Sequence, residues 1–142
     1  MPTRRASATW EGGLQGGKGS FTGESGAIGG QYSFSSRFAD GVGSNPEELL
    51  AAAEAACFSM ALSGGLERNG TPATRIETKA ACTVAKVDAG FAITTIALDV
   101  SASVPNIDDA TFQRIAAETK EGCPVSKSLK GNVDIKLQAK LA

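Results

Sequence analysis

The chain has 142 residues, enough for one domain whose core can bury roughly two-thirds of the surface its unfolded form exposes. Apolar residues make up 42% and charged ones 20%, with 14 basic against 15 acidic, which excludes a disordered chain and a polybasic nucleic-acid binder. Histidine is absent, which excludes Ser–His and Cys–His nucleophile pairs and the imidazole set of a catalytic zinc site.

The N-terminal Arg4 and Arg5 are followed by no apolar segment, so no signal peptide is expected. No apolar stretch reads as long enough to span a bilayer, so no membrane partner is expected and the cytoplasm is the expected address. Residues 8–11, 19–22 and 31–34 read as short strands separated by Gly12-Gly13, Gly16-Gly17 and Gly29-Gly30, a small antiparallel meander. The glycines lack phosphate-loop spacing. Asn45, Pro46 and Glu48 then form an N-cap, a first-turn proline and an N-x-x-E box, which start a long helix. From Leu49 to Leu66 this helix is apolar on nearly every side, which predicts burial all round. Its alanines would let another helix approach closely. Gly64-Gly65 and Gly70-Thr71-Pro72 are expected to end it.

Two strands follow, Ile76 to Val84 and Ile96 to Val104, joined by a hairpin at Asp88-Ala89-Gly90. Next comes an amphipathic helix capped by Asp108, with Phe112, Ile115, Ala116 and Thr119 on one stripe and Gly122 as its stop. Cys123-Pro124 starts a short helix that ends at Gly131. Val133, Ile135, Leu137, Ala139 and Leu141 alternate with polar residues in the last strand. The class is α+β, in a single domain over residues 1–142.

Three cysteines remain as chemistry-bearing groups: Cys57, Cys82 and Cys123, with no C-x-x-C among them. Such spacing makes a poor structural metal site, and stable disulfides are not expected in a reducing compartment. Cys82 shares an apolar strand face with Ile76 and Val84 and reads as a small buried hydrophobe. Cys123 sits where a helix N-terminus would favour a thiolate, although a small residue that fits a cap explains it equally well. Cys57 lies among alanines, where packing is the ordinary explanation. Burial there raises a thiol pKa and makes it inert unless a cation stands nearby.

Several segments bear on that choice together: Thr22-Gly23-Glu24-Ser25-Gly26, Arg37-Phe38, Asn45-Pro46-Glu47-Glu48-Leu49, Ala55-Ala56-Cys57-Phe58-Ser59-Met60-Ala61-Leu62 and Gly122-Cys123-Pro124-Val125-Ser126. In these the chain resembles the OsmC/Ohr family, and the hairpin segment from Lys86 to Thr94 places the likeness in its OsmC branch. The resemblance implies an OsmC-like fold, an antiparallel sheet wrapped around a long central helix and completed by an intertwined homodimer. It also implies a thiol peroxidase of oxidative and osmotic stress defence, with Cys57 as peroxidatic and Cys123 as resolving cysteine. Arg37 matches the arginine that holds the thiolate and the peroxide, and Glu47 matches that arginine's partner, while Glu48 is better explained as a capping residue. No metal, flavin or haem is implied; the reductant is an external dithiol of dihydrolipoyl type. Glu54 stands where relatives can have a histidine, outside the chemistry so assigned.

Two further expectations come from the residues. Leu49, Leu50, Phe58, Met60 and Leu62 offer apolar surface near Cys57, which favours organic hydroperoxides over hydrogen peroxide. Glu47 and Cys57 are ten residues apart, about 15 Å along a straight helix, so one site can use both only if the helix breaks or a second subunit supplies one of them. The alternative reading is a non-catalytic, small-molecule-binding stress dimer in which all three cysteines are packing.

Overall fold

Glycine turns and short alternating runs build the first of two units, Met1–Leu49; the second is Leu50–Ala142. The computed structural model describes every residue from Met1 to Ala142. In the first unit, β1 (Ala6–Glu11), β2 (Lys18–Gly23) and β3 (Gly29–Tyr32) form the expected antiparallel meander in that order. Its aromatic cluster packs Tyr32 against Trp10 and Phe21, with ring centroids 5.5 and 6.1 Å apart. Gly19 makes this possible, because a Cβ there would lie 2.5 Å from the Tyr32 ring.

The third strand stops earlier than the alternation suggests. Phe34 opens a short helix, α1 (Phe34–Phe38), instead of closing β3. The cause is a capping box: Ser33 Oγ accepts from the Ser36 N–H, and Ser36 Oγ accepts from the Ser33 N–H. Arg37 therefore stands on a helical turn rather than in an irregular connection.

The long helix, α2 (Pro46–Arg68), starts as expected, with Asn45 Oδ1 accepting from the Glu48 N–H at 2.8 Å. The Glu48 carboxylate takes the Ser44 hydroxyl at 2.5 Å. The glycine pair does not end the helix, which runs on to Arg68. Gly65 is a close-approach site, where an added Cβ would meet Ile115 Cγ2 at 3.0 Å.

In the second unit, β4 (Arg75–Val87), β5 (Gly90–Ser103) and β6 (Asp134–Leu141) form a sheet in the order β4-β5-β6. The β4–β5 hairpin turns through Asp88 and Ala89, with Gly90 at a φ of 121°. β6 pairs parallel to β5, a departure from an all-antiparallel sheet that α3 (Asp109–Gly122) and α4 (Pro124–Leu129) permit by carrying the chain between the two strands. Asp108 caps α3 by accepting from the Thr111 N–H at 2.9 Å, and the stripe Phe112, Ile115, Ala116 and Thr119 is buried as expected. Phe58, Leu62 and Leu66 of α2 join Ile96, Leu98 and Val100 of β5 and Phe112 of α3 in one core cluster. Cys82 packs against its edge but is half-buried rather than buried.

Two expectations about α2 need correction. Within the chain it is not buried all round: one stripe, Glu54, Phe58, Leu62 and Leu66, is covered, while Ala52, Ala53, Ala56 and Met60 are exposed. It is also long and apolar enough to cross a membrane by length and composition. Its alanines, glycines and serines break up the large apolar residues, so it does not stand out as a single apolar block. The fully buried Phe58, Leu62 and Leu66 make it the core helix of the second unit.

Candidate active site

The junction between α3 and α4 brings the two outer cysteines together. Cys123 is the C-cap of α3 and the N-cap of α4, and Pro124 occupies the first position of α4, where no N–H is required. The Cys123 side chain makes no capping hydrogen bond. It turns toward α2, and Cys123 Sγ donates to Cys57 Sγ at 2.9 Å. A disulfide needs about 2.05 Å, so the pair stands less than one ångström from bonding distance.

The two thiols differ in access. Cys123 is 0% exposed, whereas Cys57 is partly exposed. Both line a groove of about 660 Å³ between α2 and α3, where Met60, Ala61, Ile115 and Pro124 form the apolar part of a wall that also holds Arg68, Arg114 and Glu118. Leu62 and Phe58, expected near a substrate, are 0% exposed and belong to the core instead. Met60, 81% exposed, is the one large apolar residue of the expected set in the groove wall.

Burial pushes the Cys57 thiol above its ordinary value, and the hydrogen bond with Cys123 raises it further. The backbone N–H of Val125, in the first turn of α4, acts the other way. Proximity to Cys123 and the Glu54 carboxylate add smaller upward pushes, and no cation is among the causes. The thiolate that peroxide chemistry needs is thus unfavoured by the residues of this unit.

The first unit holds the other two expected site residues. Arg37, in the last turn of α1, donates through Nη2 to Glu47 Oε1 at 2.7 Å and through Nε to Oε1 and Oε2 at 3.1 and 3.3 Å. The Glu47 side chain is 6% exposed and that of Arg37 37%, so a buried carboxylate orients a reachable guanidinium. Phe38 supports the cation, with its ring centroid 5.1 Å from Arg37 Cζ.

Sequence reasoning set Glu54 outside the chemistry and missed its buried contact. It is fully buried, and its Oε1 accepts from Ser126 Oγ at 2.5 Å, while Oε2 has no hydrogen-bond partner. A carboxylate within an alanine run was the available signal, but its position on the apolar stripe gave no hint of a polar partner.

Comparison with known proteins gives a consistent answer. A family model described as "OsmC-like protein" matches residues 39–138. Over 138 residues the chain is 49% identical to Peroxiredoxin OsmC of Escherichia coli, covering 96% of each chain. It is 35% identical over 99 residues to the organic hydroperoxide resistance protein OhrB of Bacillus subtilis, covering 69% of this chain and 71% of that one. The crystal structure of OhrB superposes with a TM-score of 0.74 at 28% identity, covering 96% and 98% of the two chains.

Proposed function

This chain belongs to the OsmC family and is a peroxidase of hydroperoxide stress, and from that premise we propose that Cys57 is its peroxidatic cysteine, Cys123 its resolving cysteine and organic hydroperoxides its preferred substrates. The carrying observation is the 2.9 Å separation of two sulfurs on one groove, with Cys57 partly exposed and Cys123 buried.

In the first step the Cys57 thiolate attacks the distal oxygen of the hydroperoxide. An S–O bond forms as the O–O bond breaks, sulfur loses two electrons, and the alkoxide leaves to be protonated as an alcohol. The Cys123 sulfur then attacks the Cys57 sulfenic acid. An S–S bond forms, the S–O bond breaks, and the hydroxide departs as water with the Cys123 proton. An external dithiol, of dihydrolipoyl type, returns both thiols by exchange and becomes a disulfide itself. No metal or organic cofactor takes part. The apolar walls Met60, Ala61 and Ile115 favour an alkyl tail, which gains by leaving water. Initial rates with cumene hydroperoxide should exceed those with hydrogen peroxide; a faster rate with hydrogen peroxide contradicts the preference.

Arg37 supplies the missing positive charge in this reading, and Glu47 aims it. A homodimer with two antiparallel central helices presents the Arg37–Glu47 pair of one protomer to Cys57 of the other. Two observations support the dimer. Glu47 and Cys57 are ten residues apart on one unbroken helix, and only 22% of the most apolar window of that helix is buried within a protomer. On this reading residues 1–142 act as one domain completed by its partner, in the cytoplasm. Sedimentation should show a dimer at micromolar concentration, and a stable monomer there contradicts it.

A further inference from the structure

The apolar stripe of α2 is interrupted at one place. Phe58, Leu62 and Leu66 continue upstream at four-residue spacing to Glu54, which is as fully buried as they are. A buried carboxylate is costly to keep when it makes a single hydrogen bond to a neutral hydroxyl. A leucine would extend the stripe, so stability does not explain the acid.

Its surroundings do. Glu54 lies three residues before Cys57 on α2, and Ser126 lies three residues after Cys123 on α4. The same two helices are thus linked twice, about one turn apart: by the sulfur pair at 2.9 Å and by Ser126 Oγ on Glu54 Oε1 at 2.5 Å. Ser126 is 4% exposed, so the second link is shielded from water. The α4 helix has 6 residues, too few to hold its own position by helix formation alone.

We propose that Glu54 is a positioning residue for the redox pair: its buried hydrogen bond with Ser126 clamps α4 to α2 and keeps Cys123 within attacking range of Cys57. The inference rests on Cys57 and Cys123 being that pair. The clamp matters after the first oxidation, when the Cys57 sulfenic acid is either captured by Cys123, with loss of water, or oxidised by a second hydroperoxide to sulfinic acid. Holding the two sulfurs close makes capture the faster branch. Its carboxylate has a second effect, because negative charge beside Cys57 disfavours the thiolate.

Three variants separate these effects. Glu54→Leu removes the hydrogen bond and completes the apolar stripe. Ser126→Ala removes the bond from the other side. Glu54→Gln keeps an acceptor for the Ser126 hydroxyl and removes the charge. Reduced protein is mixed with cumene hydroperoxide, and disulfide, sulfenic and sulfinic forms are followed by mass spectrometry with dimedone trapping. Glu54→Leu and Ser126→Ala should slow disulfide formation at least about tenfold and accumulate sulfinic acid at Cys57. Glu54→Gln should form the disulfide within about twofold of the parent rate, and its Cys57 alkylation should move to lower pH because a negative charge has gone. Disulfide formation at the parent rate in both Glu54→Leu and Ser126→Ala overturns the clamp, as does a Glu54→Gln protein as slow as Glu54→Leu. An unmoved alkylation profile in Glu54→Gln overturns the electrostatic effect. A parent protein that forms no Cys57–Cys123 disulfide overturns the redox-pair reading itself, which is a separate failure.

Discussion

Cys57→Ser should reduce no hydroperoxide above the uncatalysed background, whatever the reductant. A serine hydroxyl at that position cannot reach a sulfenic acid state, and neither remaining cysteine can replace it. Cys123 is 0% exposed, which keeps peroxide from it, and Cys82 packs half-buried against the core cluster. Cys123→Ser should behave differently. Its first oxidation should proceed, with one equivalent of peroxide consumed per subunit, and turnover with a dithiol should then fall sharply. Without the capturing sulfur 2.9 Å away, Cys57 stays as a sulfenic acid and excess peroxide drives it to sulfinic acid. Cys82→Ser should keep turnover, with some loss of stability from a hydroxyl placed beside apolar residues. Peroxide consumption and the mass of each cysteine peptide check all three variants. Activity lost only in Cys82→Ser would show that the pair has been wrongly assigned.

Arg37→Ala should slow peroxide reduction by roughly ten- to a hundredfold at neutral pH, with the fold intact. Burial and its neighbours raise the Cys57 thiol, so its thiolate is a minor form at neutral pH unless a cation offsets them. The sign is direct: removing that cation raises the thiol pKa further, lowers the thiolate fraction and moves the onset of Cys57 alkylation to higher pH. A guanidinium also donates to the leaving oxygen as negative charge develops there. Arg37→Lys should restore only part of the rate. The arginine is held by three hydrogen bonds to Glu47, through Nη2 and Nε, and a lysine ammonium cannot keep that fork. Glu47→Ala should resemble Arg37→Lys more than Arg37→Ala, since the charge remains but loses its aim. Alkylation of Cys57 against pH, measured in each variant, decides the matter. An unchanged profile and rate in Arg37→Ala would remove Arg37 from the mechanism.

The elements that could be read from sequence are those where local pattern and tertiary burial agree. The α3 stripe from Phe112 to Thr119 is buried, and the alternation of β6 half-buries the face its period marks. The misreadings have local causes. Ser33 and Phe34 continue a plausible strand, and only the reciprocal serine capping box reveals that α1 begins there. Gly64-Gly65 looks like a stop signal, yet Gly65 exists for the approach of Ile115, a contact between residues far apart in sequence. The same limit applies to the site. Each cysteine alone was as well explained by packing; what distinguishes Cys57 and Cys123 is a contact across 66 positions of sequence. Glu54 was harder still, because Ser126 is 72 positions away and nothing near either residue announces the bond. Arg37 and Glu47, ten positions apart, were accessible only through the family resemblance, and their hydrogen bonds now give that pairing a geometric basis.

The central claim is that Cys57 and Cys123 form one redox couple. Fully reduced protein is treated with one equivalent of cumene hydroperoxide per subunit, quenched with an alkylating reagent, digested and mapped. The account predicts rapid loss of two thiols, a Cys57–Cys123 disulfide within each chain and an alkylated Cys82. Three thiols still alkylated, or a disulfide that contains Cys82, would contradict it.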